Sequence, residues 1–288
     1  MVTNIRSQLF FLKQFGFSEK FLNHIYDLKV NPVNCVFNLE KELFIINNSF
    51  LTPHDVILAS KKDEFNRFVK KLLEEDDFLK NKSNHKIFFK HDTNELTKIL
   101  PKDIMPMFMY AKGDISLLNE RKKRIAIIGT RKPTKRSIEI ANQLSISFLN
   151  QDYIIVSGLA EGIDTISHQV ALDNNGKTIA VLPTNFNKIY PVKNKSLAQE
   201  ISKSGLLLTA VGPKENTYKS TFLERNKYVA NISDIILVIE TNLKSGTMNT
   251  IRNASEANKK ILFVDQGDKS INKKIFDLGG EMIDENIE

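Results

Sequence analysis

The sequence predicts a doubly wound α/β fold with a mainly parallel sheet, preceded by a small, mainly helical domain. Three observations predict it. Six apolar runs of strand length recur between Ile125 and Val264, helical periodicity fills the gaps between them, and the first hundred residues carry helical patterning instead. The runs are Ile125–Ile128, Tyr153–Val156, Thr178–Leu182, Leu206–Leu208, Ile235–Ile239 and Ile261–Val264. They are continuous rather than alternating, which suits strands buried on both faces of a parallel sheet. Between them, Ile138, Ala141, Leu144, Phe148 and Leu149 form one apolar stripe, Ile163, Ile166, Val170 and Ala171 a second, and Asn226, Val229 and Ala230 a weaker third. Strands alternating with helices give a doubly wound sheet with right-handed crossovers.

Residues 1–100 are expected to form the helical domain. Leu9, Leu12, Phe15, Phe21, Leu22 and Ile25 predict two short helices broken at Gly16-Phe17-Ser18, and Phe65 to Leu79 predicts another. The stretch Leu100 to Asp114, punctuated by Pro101, Pro106 and Gly113, reads as the joint. Residues 101–270 then form the α/β domain and 271–288 a tail too short for a winged helix. No apolar run approaches the ~18 residues of a membrane span. Met1 to Phe10 is mixed rather than signal-like, and a lone cysteine, Cys35, has no intrachain partner, so a reducing cytoplasm is expected.

The 288 residues carry 41 Lys and Arg against 34 Asp and Glu, and the excess is concentrated. Residues 121–260 hold 21 basic and 11 acidic side chains, whereas residues 1–120 hold 17 and 16. The α/β half therefore has the field to attract a polyanion. Arg121, Lys122, Lys123, Arg124, Arg131, Lys132, Lys135 and Arg136 form a run without an acid that brackets the first strand and its turn. A solvated lysine-rich surface is the alternative for that run.

In an open α/β sheet, ligands bind beyond the carboxyl ends of the strands. The first strand ends in Gly129-Thr130-Arg131-Lys132-Pro133-Thr134 before a helix. A glycine, hydroxyls, a guanidinium and the free amides of a helix start make an anion cradle, most naturally for phosphate. A purely structural turn is the other reading. The second and third glycines of a dinucleotide fingerprint are missing, and Thr134 and Arg136 stand where a P-loop needs Gly and Ser or Thr. The second strand ends in Ser157-Gly158-Leu159-Ala160-Glu161-Gly162-Ile163-Asp164. Asp164 and His168 share a helical face, as a structural pair or a catalytic one. His24, His54, His85, His91 and His168 show no His-Glu-x-x-His spacing and there is no cysteine pair, so no metal is expected.

These two turns, with Ile189-Tyr190-Pro191, Thr221-Phe222-Leu223-Glu224-Arg225-Asn226-Lys227 and Lys244-Ser245-Gly246-Thr247, occur in an order that resembles the DprA/Smf family of DNA-processing proteins. The resemblance covers about Leu100 to Gln266. It implies an extended Rossmann-like domain that binds single-stranded DNA, protects incoming strands and loads the RecA recombinase in natural transformation, as a homodimer without catalytic activity, cofactor or membrane partner. By motif match, Gly129, Thr130, Arg131, Lys132, Ser157, Gly158, Lys219, Phe222, Arg225, Asn226, Lys244, Ser245 and Gly246 would line the DNA path. Arg131 and Lys219 would hold phosphates and Phe222 would lie against a base. Three features depart from the family pattern. Glu161 would weaken local anion binding. Lys227 keeps the charge of the usual arginine but not its planar fork. The helical region shows no clear helix-hairpin-helix glycines.

Composition agrees with this reading, because single-strand binders combine a basic groove with exposed aromatics worth ~1–3 kcal/mol per stacked base. Most of the 19 phenylalanines must be core, which is the alternative for Phe222. A competing expectation is a Rossmann-type nucleotide phosphoribohydrolase resembling lysine decarboxylase-like proteins. Its Pro-Gly-Gly-x-Gly-Thr loop is matched here only by Lys244-Ser245-Gly246-Thr247, with Glu240 upstream and Glu256 on the following helix. A plain structural or partner-binding domain is the third.

Overall fold

The computed structural model describes residues 4–42, 46–75 and 85–285. They fall into two compact units, one comprising the N-terminal residues with the segment Gly212–Glu215, the other the rest.

The N-terminal unit is helical. Helix α1 (Ile5–Phe15) starts at Asn4, whose side chain accepts from the Ser7 amide, and stops at Gly16, where φ is 119°. Only glycine takes that conformation without strain, so the break before α2 (Glu19–Asp27) falls where the sequence places it. Short helices α3 (Pro32–Val36) and α4 (Leu39–Glu42) follow, then α5 (Pro53–Ala59) and α6 (Lys62–Glu75). The part of the predicted third helix beyond Glu75 lies outside the described residues. Rings of Phe15, Phe17, Phe21, Phe37, Phe65 and Phe68 pack edge to face and tilted around one centre. The segment Gly212–Glu215 belongs here because Gln14 donates to Glu215 at 2.8 Å and Lys13 pairs with Glu215 at 3.0 Å.

The second unit is built on one sheet. Its strands are β1 (His85–Phe89), β2 (Phe108–Gly113), β3 (Arg124–Ile128), β4 (Ile154–Ser157), β5 (Thr178–Leu182), β6 (Leu206–Thr209), β7 (Ile235–Val238), β8 (Lys260–Phe263) and β9 (Gly280–Met282). Among the described residues their order is β1-β2-β6-β5-β4-β3-β7-β8-β9. The pairs β1–β2 and β2–β6 are antiparallel and the others parallel. Helices α7 (Glu95–Ile99), α8 (Lys135–Asn150), α9 (Ile163–Asp173), α10 (Lys195–Ser204), α11 (Lys219–Ile232), α12 (Gly246–Glu256) and α13 (Lys269–Phe276) connect them.

Side-chain alternation divides the core into layers. Ile125 and Ile127 of β3 pack with Ile140, Ala141, Leu144 and Phe148 of α8 on one face. Ala126 and Ile128 pack with Tyr228 and Val229 of α11 and Met248 and Ile251 of α12 on the other. Both faces are buried, so the strands are mainly apolar. The chain runs outward from β3 to β6, then returns to place β7 on the other flank of β3. The carboxyl end of the β3–β7 pair is therefore the topological switch point, where such sheets open a crevice.

Two domain boundaries are corrected. Residues 85–99 were expected in the helical domain, but β1 pairs with β2 along its length and α7 buries Leu96 beneath the same sheet. The expected joint contains β2, whose Phe108, Met109, Tyr110 and Ala111 are buried; the prolines and glycine that bracket this strand obscured it. Residues 271–288 were expected as a tail, yet α13 buries Ile275 and β9 pairs with β8. Among the described residues, no helix is long and apolar enough to cross a membrane.

Candidate nucleic-acid interface

At Gly129 the chain leaves β3 through a narrow gap: a Cβ there would lie 2.5 Å from Ile163 Cγ1 and 3.1 Å from the Glu240 carbonyl oxygen. The Thr130 amide donates to that carbonyl at 2.7 Å, and Thr247 Oγ1 donates to the Gly129 carbonyl at 3.0 Å. Thr134 caps α8, its hydroxyl accepting from the Ser137 amide. The Thr134 amide in turn donates to the Glu240 carboxylate at 2.9 Å. One amide of the cradle expected here is thus answered by the protein's own carboxylate. What the turn offers outward is Arg131 and Lys132, both exposed.

The second turn is closed more completely. Ser157 is fully buried and its hydroxyl donates to the Ile127 carbonyl at 2.7 Å, so it holds β4 against β3 and is removed from the ligand-facing set. Asp164 reaches back from the first turn of α9 and accepts from the amides of Gly158 and Ala160 at 3.1 and 3.3 Å. Its other neighbour is Arg225 Nη1 at 3.8 Å. Burial pushes the Asp164 carboxyl up, with Arg225 and the two amides opposing. Burial likewise lowers the Arg225 guanidinium, with Asp164 opposing. Gly158 leaves room for this contact, since a Cβ would fall 1.3 Å from Arg225 Nη1. His168 does not pair with Asp164. Its Nδ1 lies 2.7 Å from Thr178 Oγ1 and its Nε2 is buried without a hydrogen-bond partner. Burial, aided by Arg225, holds this imidazole down to about 3. A neutral ring sealed in the core is no acid–base catalyst. Glu161, expected to repel anions, pairs with Lys193 at 2.6 Å.

Helix α11 supplies the opposite wall. Lys219 is exposed at its first position, where Tyr218 provides no side-chain cap. Phe222, one turn on, is half-buried and meets the Tyr190 ring edge-on at 5.4 Å. It is therefore not a core residue. Arg225 lies deeper, 7% exposed, with Nε and Nη1 unpartnered by hydrogen bonds. Asn226 faces α12, donating to the Gly246 carbonyl at 3.2 Å and to Asn249 Oδ1 at 3.4 Å. Ser245 caps α12 through the Met248 amide and shares a hydrogen bond with Thr241. Lys244 and Gly246 are exposed.

These walls enclose a cleft of about 860 Å³, lined by Gly129, Thr130, Arg131, Lys132, Gly158, Lys219, Phe222, Arg225, Asn226, Lys244, Ser245 and Gly246. A hollow of about 150 Å³ adjoins it, where Tyr190, Pro191 and Phe222 meet Arg131 and Arg225. Every predicted residue except Ser157 lines the cleft. Sequence reasoning missed Asn249 and Arg252, which follow Gly246 at steps of three along α12 and line it too. Tyr190, quoted in a motif but given no role from the sequence, lines the adjoining hollow. Arg131, Lys132, Lys219, Lys244 and Arg252 point a strong positive field into a concave, partly apolar space, where charges act more strongly than on an open surface.

The family model for DNA recombination-mediator protein A matches residues 88–281. The chain belongs to this family. Over 159 residues it is 35% identical to DNA processing protein DprA of Bacillus subtilis, covering 55% of this chain and 53% of that protein. The same extent of the chain is 35% identical to DprA of Streptococcus pneumoniae, covering 55% of each. The chain thus spans about half the length of the curated relatives it matches. Among solved structures, DprA from Streptococcus pneumoniae superposes with a TM-score of 0.66 at 25% identity, covering 98% of this chain and 95% of that one. DprA from Helicobacter pylori, solved for its single-stranded DNA binding mode, superposes at 0.60 with 30% identity, covering 69% and 90%. The extended Rossmann-like fold expected from the resemblance is the fold found.

Proposed function

We propose that this protein binds single-stranded DNA in the switch-point cleft and delivers it for recombination. One observation carries the reading: Arg131 and Lys219, remote in sequence, face the same cleft beside a half-exposed phenylalanine. Successive backbone phosphates are gripped by Arg131 and Lys219, with Lys132, Lys244 and Arg252 along the path. A guanidinium donates to phosphate in two parallel bonds, whereas lysines act as point charges. Phe222, backed by Tyr190, takes a base against its face. Any base has such a face, so binding is indifferent to sequence. A duplex keeps its bases stacked inward and cannot use Phe222, which gives the preference for single strands. Arg225 is the floor of this site rather than a contact, because its burial and Asp164 hold it back. In this reading the protein works without catalysis in the cytoplasm, as a homodimer that protects incoming strands and loads RecA on them during transformation. Family membership and the single-stranded DNA binding of the Helicobacter pylori relative support it.

The test is a titration with labelled oligo-dT and with a duplex of equal length at fixed salt. Preference for the single strand is expected. Equal affinity for both, or none for either, contradicts the reading. Release of free base from nucleoside monophosphates would favour the hydrolase instead.

A further inference from the structure

Besides Phe222, the switch-point cleft carries two large apolar side chains to which the reading above gives no role. Leu223 of α11 is 50% exposed and Leu243, in the loop between β7 and α12, is 45% exposed, and both line the cleft. A single exposed leucine needs no explanation, but two in one concave space form an apolar patch inside a basic site. Neither is required there by the core. The buried positions of α11 begin at Arg225, beyond Leu223. The loop of Leu243 is closed by its own polar groups: the Lys244 amide donates to Asn242 Oδ1 at 3.2 Å, the Ser245 amide to the Asn242 carbonyl at 3.2 Å, and the Thr241 and Ser245 hydroxyls lie 2.7 Å apart. These bonds pin the backbone and leave Leu243 and Lys244 exposed.

Each leucine also stands beside a cation of the same cleft. Lys219 lies four residues before Leu223, on the same face of α11, and Lys244 follows Leu243 directly. Charge complementarity therefore asks for an occupant that brings negative charge and an apolar face close together, which is the make-up of a nucleotide unit. We infer that Leu223 and Leu243 form a second base seat, against which the base next to the one on Phe222 lies while Lys244 holds the adjoining phosphate. This rests on the single-strand reading above and deepens it: the cleft takes at least two consecutive nucleotides. Its volume of about 860 Å³ has room for them, standing near the top of the ~300–1,000 Å³ range of sites that enclose a whole small ligand. Leucine has neither donor nor acceptor, so the second base is held without being read, as the first is. An acidic peptide with apolar side chains shares this chemistry, and the test separates it from a nucleic acid.

The test measures oligo-dT binding at fixed salt for wild type, Leu223→Gln, Leu243→Gln and Leu243→Phe. Each glutamine variant keeps the size of the side chain but loses its apolar contact, and is expected to bind about threefold more weakly, with an unchanged urea midpoint because both positions are half in solvent. Leu243→Phe supplies an aromatic face and is expected to bind about fivefold more tightly. A gain of this kind is not produced by a residue that only shapes the loop. The same proteins are then compared on an abasic strand of equal length, at a salt low enough for the cations alone to retain it. There the four affinities are expected to coincide within about twofold, since no base remains to stack. Oligo-dT affinities that do not change among the four proteins overturn the inference and leave the patch to a peptide. Differences that persist in full on the abasic strand overturn it as well, because the leucines then act on the backbone and not on a base. Wild type that fails to bind oligo-dT sinks the single-strand reading itself, whereas wild type that binds beside indifferent variants sinks only the second seat.

Discussion

The turns that follow β3 and β4 begin alike and end in opposite chemistry. Each leaves a buried strand through a glycine and enters a helix at the carboxyl edge of the sheet. The first sends Arg131 and Lys132 outward and receives its acid, Glu240, from a different strand. The second turns inward and is sealed by Asp164 of its own following helix, backed by the buried Arg225. A glycine turn at a sheet edge is therefore not yet a ligand site. What decides is whether cations are left facing solvent. The first turn is built for binding, the second for holding the floor beneath it.

The largest expected effect breaks the second turn. Asp164→Ala leaves two loop amides and a buried guanidinium without their carboxylate, and is expected to lower stability by about 3–5 kcal/mol in urea unfolding. An unchanged midpoint would mean that this carboxylate does not hold the turn.

His168, in the same buried layer, gives the next effect, and only in acid. The unfolded imidazole takes a proton below its ordinary 6.5, whereas the folded one does so only near 3. Between those values the unfolded state binds more protons, so wild-type stability is full above the upper value and falls as pH drops, by up to about 1.4 kcal/mol per pH unit. His168→Gln is expected to flatten that limb relative to wild type, while Asp164 and Arg225 contribute equally to both proteins. Parallel acid limbs would contradict the sealed-layer account.

The smallest effect sharpens the open side of the comparison. Phe222→Ala is expected to weaken oligo-dT binding by about 1–2 kcal/mol, one stacked base, while leaving its salt dependence and the urea midpoint nearly unchanged. A large loss of stability would return Phe222 to the core.

Much of this was legible. The six apolar runs mark six of the seven parallel strands, β3 to β8, within a residue or two because strands buried on both faces are mainly apolar, and they miss the three-residue β9. The helix break at Gly16 was legible because its φ of 119° demands glycine. The antiparallel pair β1–β2 was not, because β2 is bracketed by prolines and a glycine that look like linker. In the cleft, Arg131, Lys219 and Phe222 were placed by motif. The inward roles of Ser157 and Arg225 were not, since the same residue types serve either as ligands or as struts and only burial distinguishes them. Glu240 was noticed as an acid upstream of a glycine loop, but its seat on α8 depends on β7 lying beside β3, a pairing that local sequence does not encode.

The division between an open, cationic turn and a sealed one is tested most directly by the salt dependence of oligo-dT binding in wild type and in the double variant Arg131→Ala, Lys219→Ala. Each cation that neutralises a phosphate contributes about 0.7 to the log–log slope for a single strand, so the variant's slope is expected to be shallower by about 1.4, with an unchanged urea midpoint. A slope equal to wild type would show that the strand does not run between these two side chains.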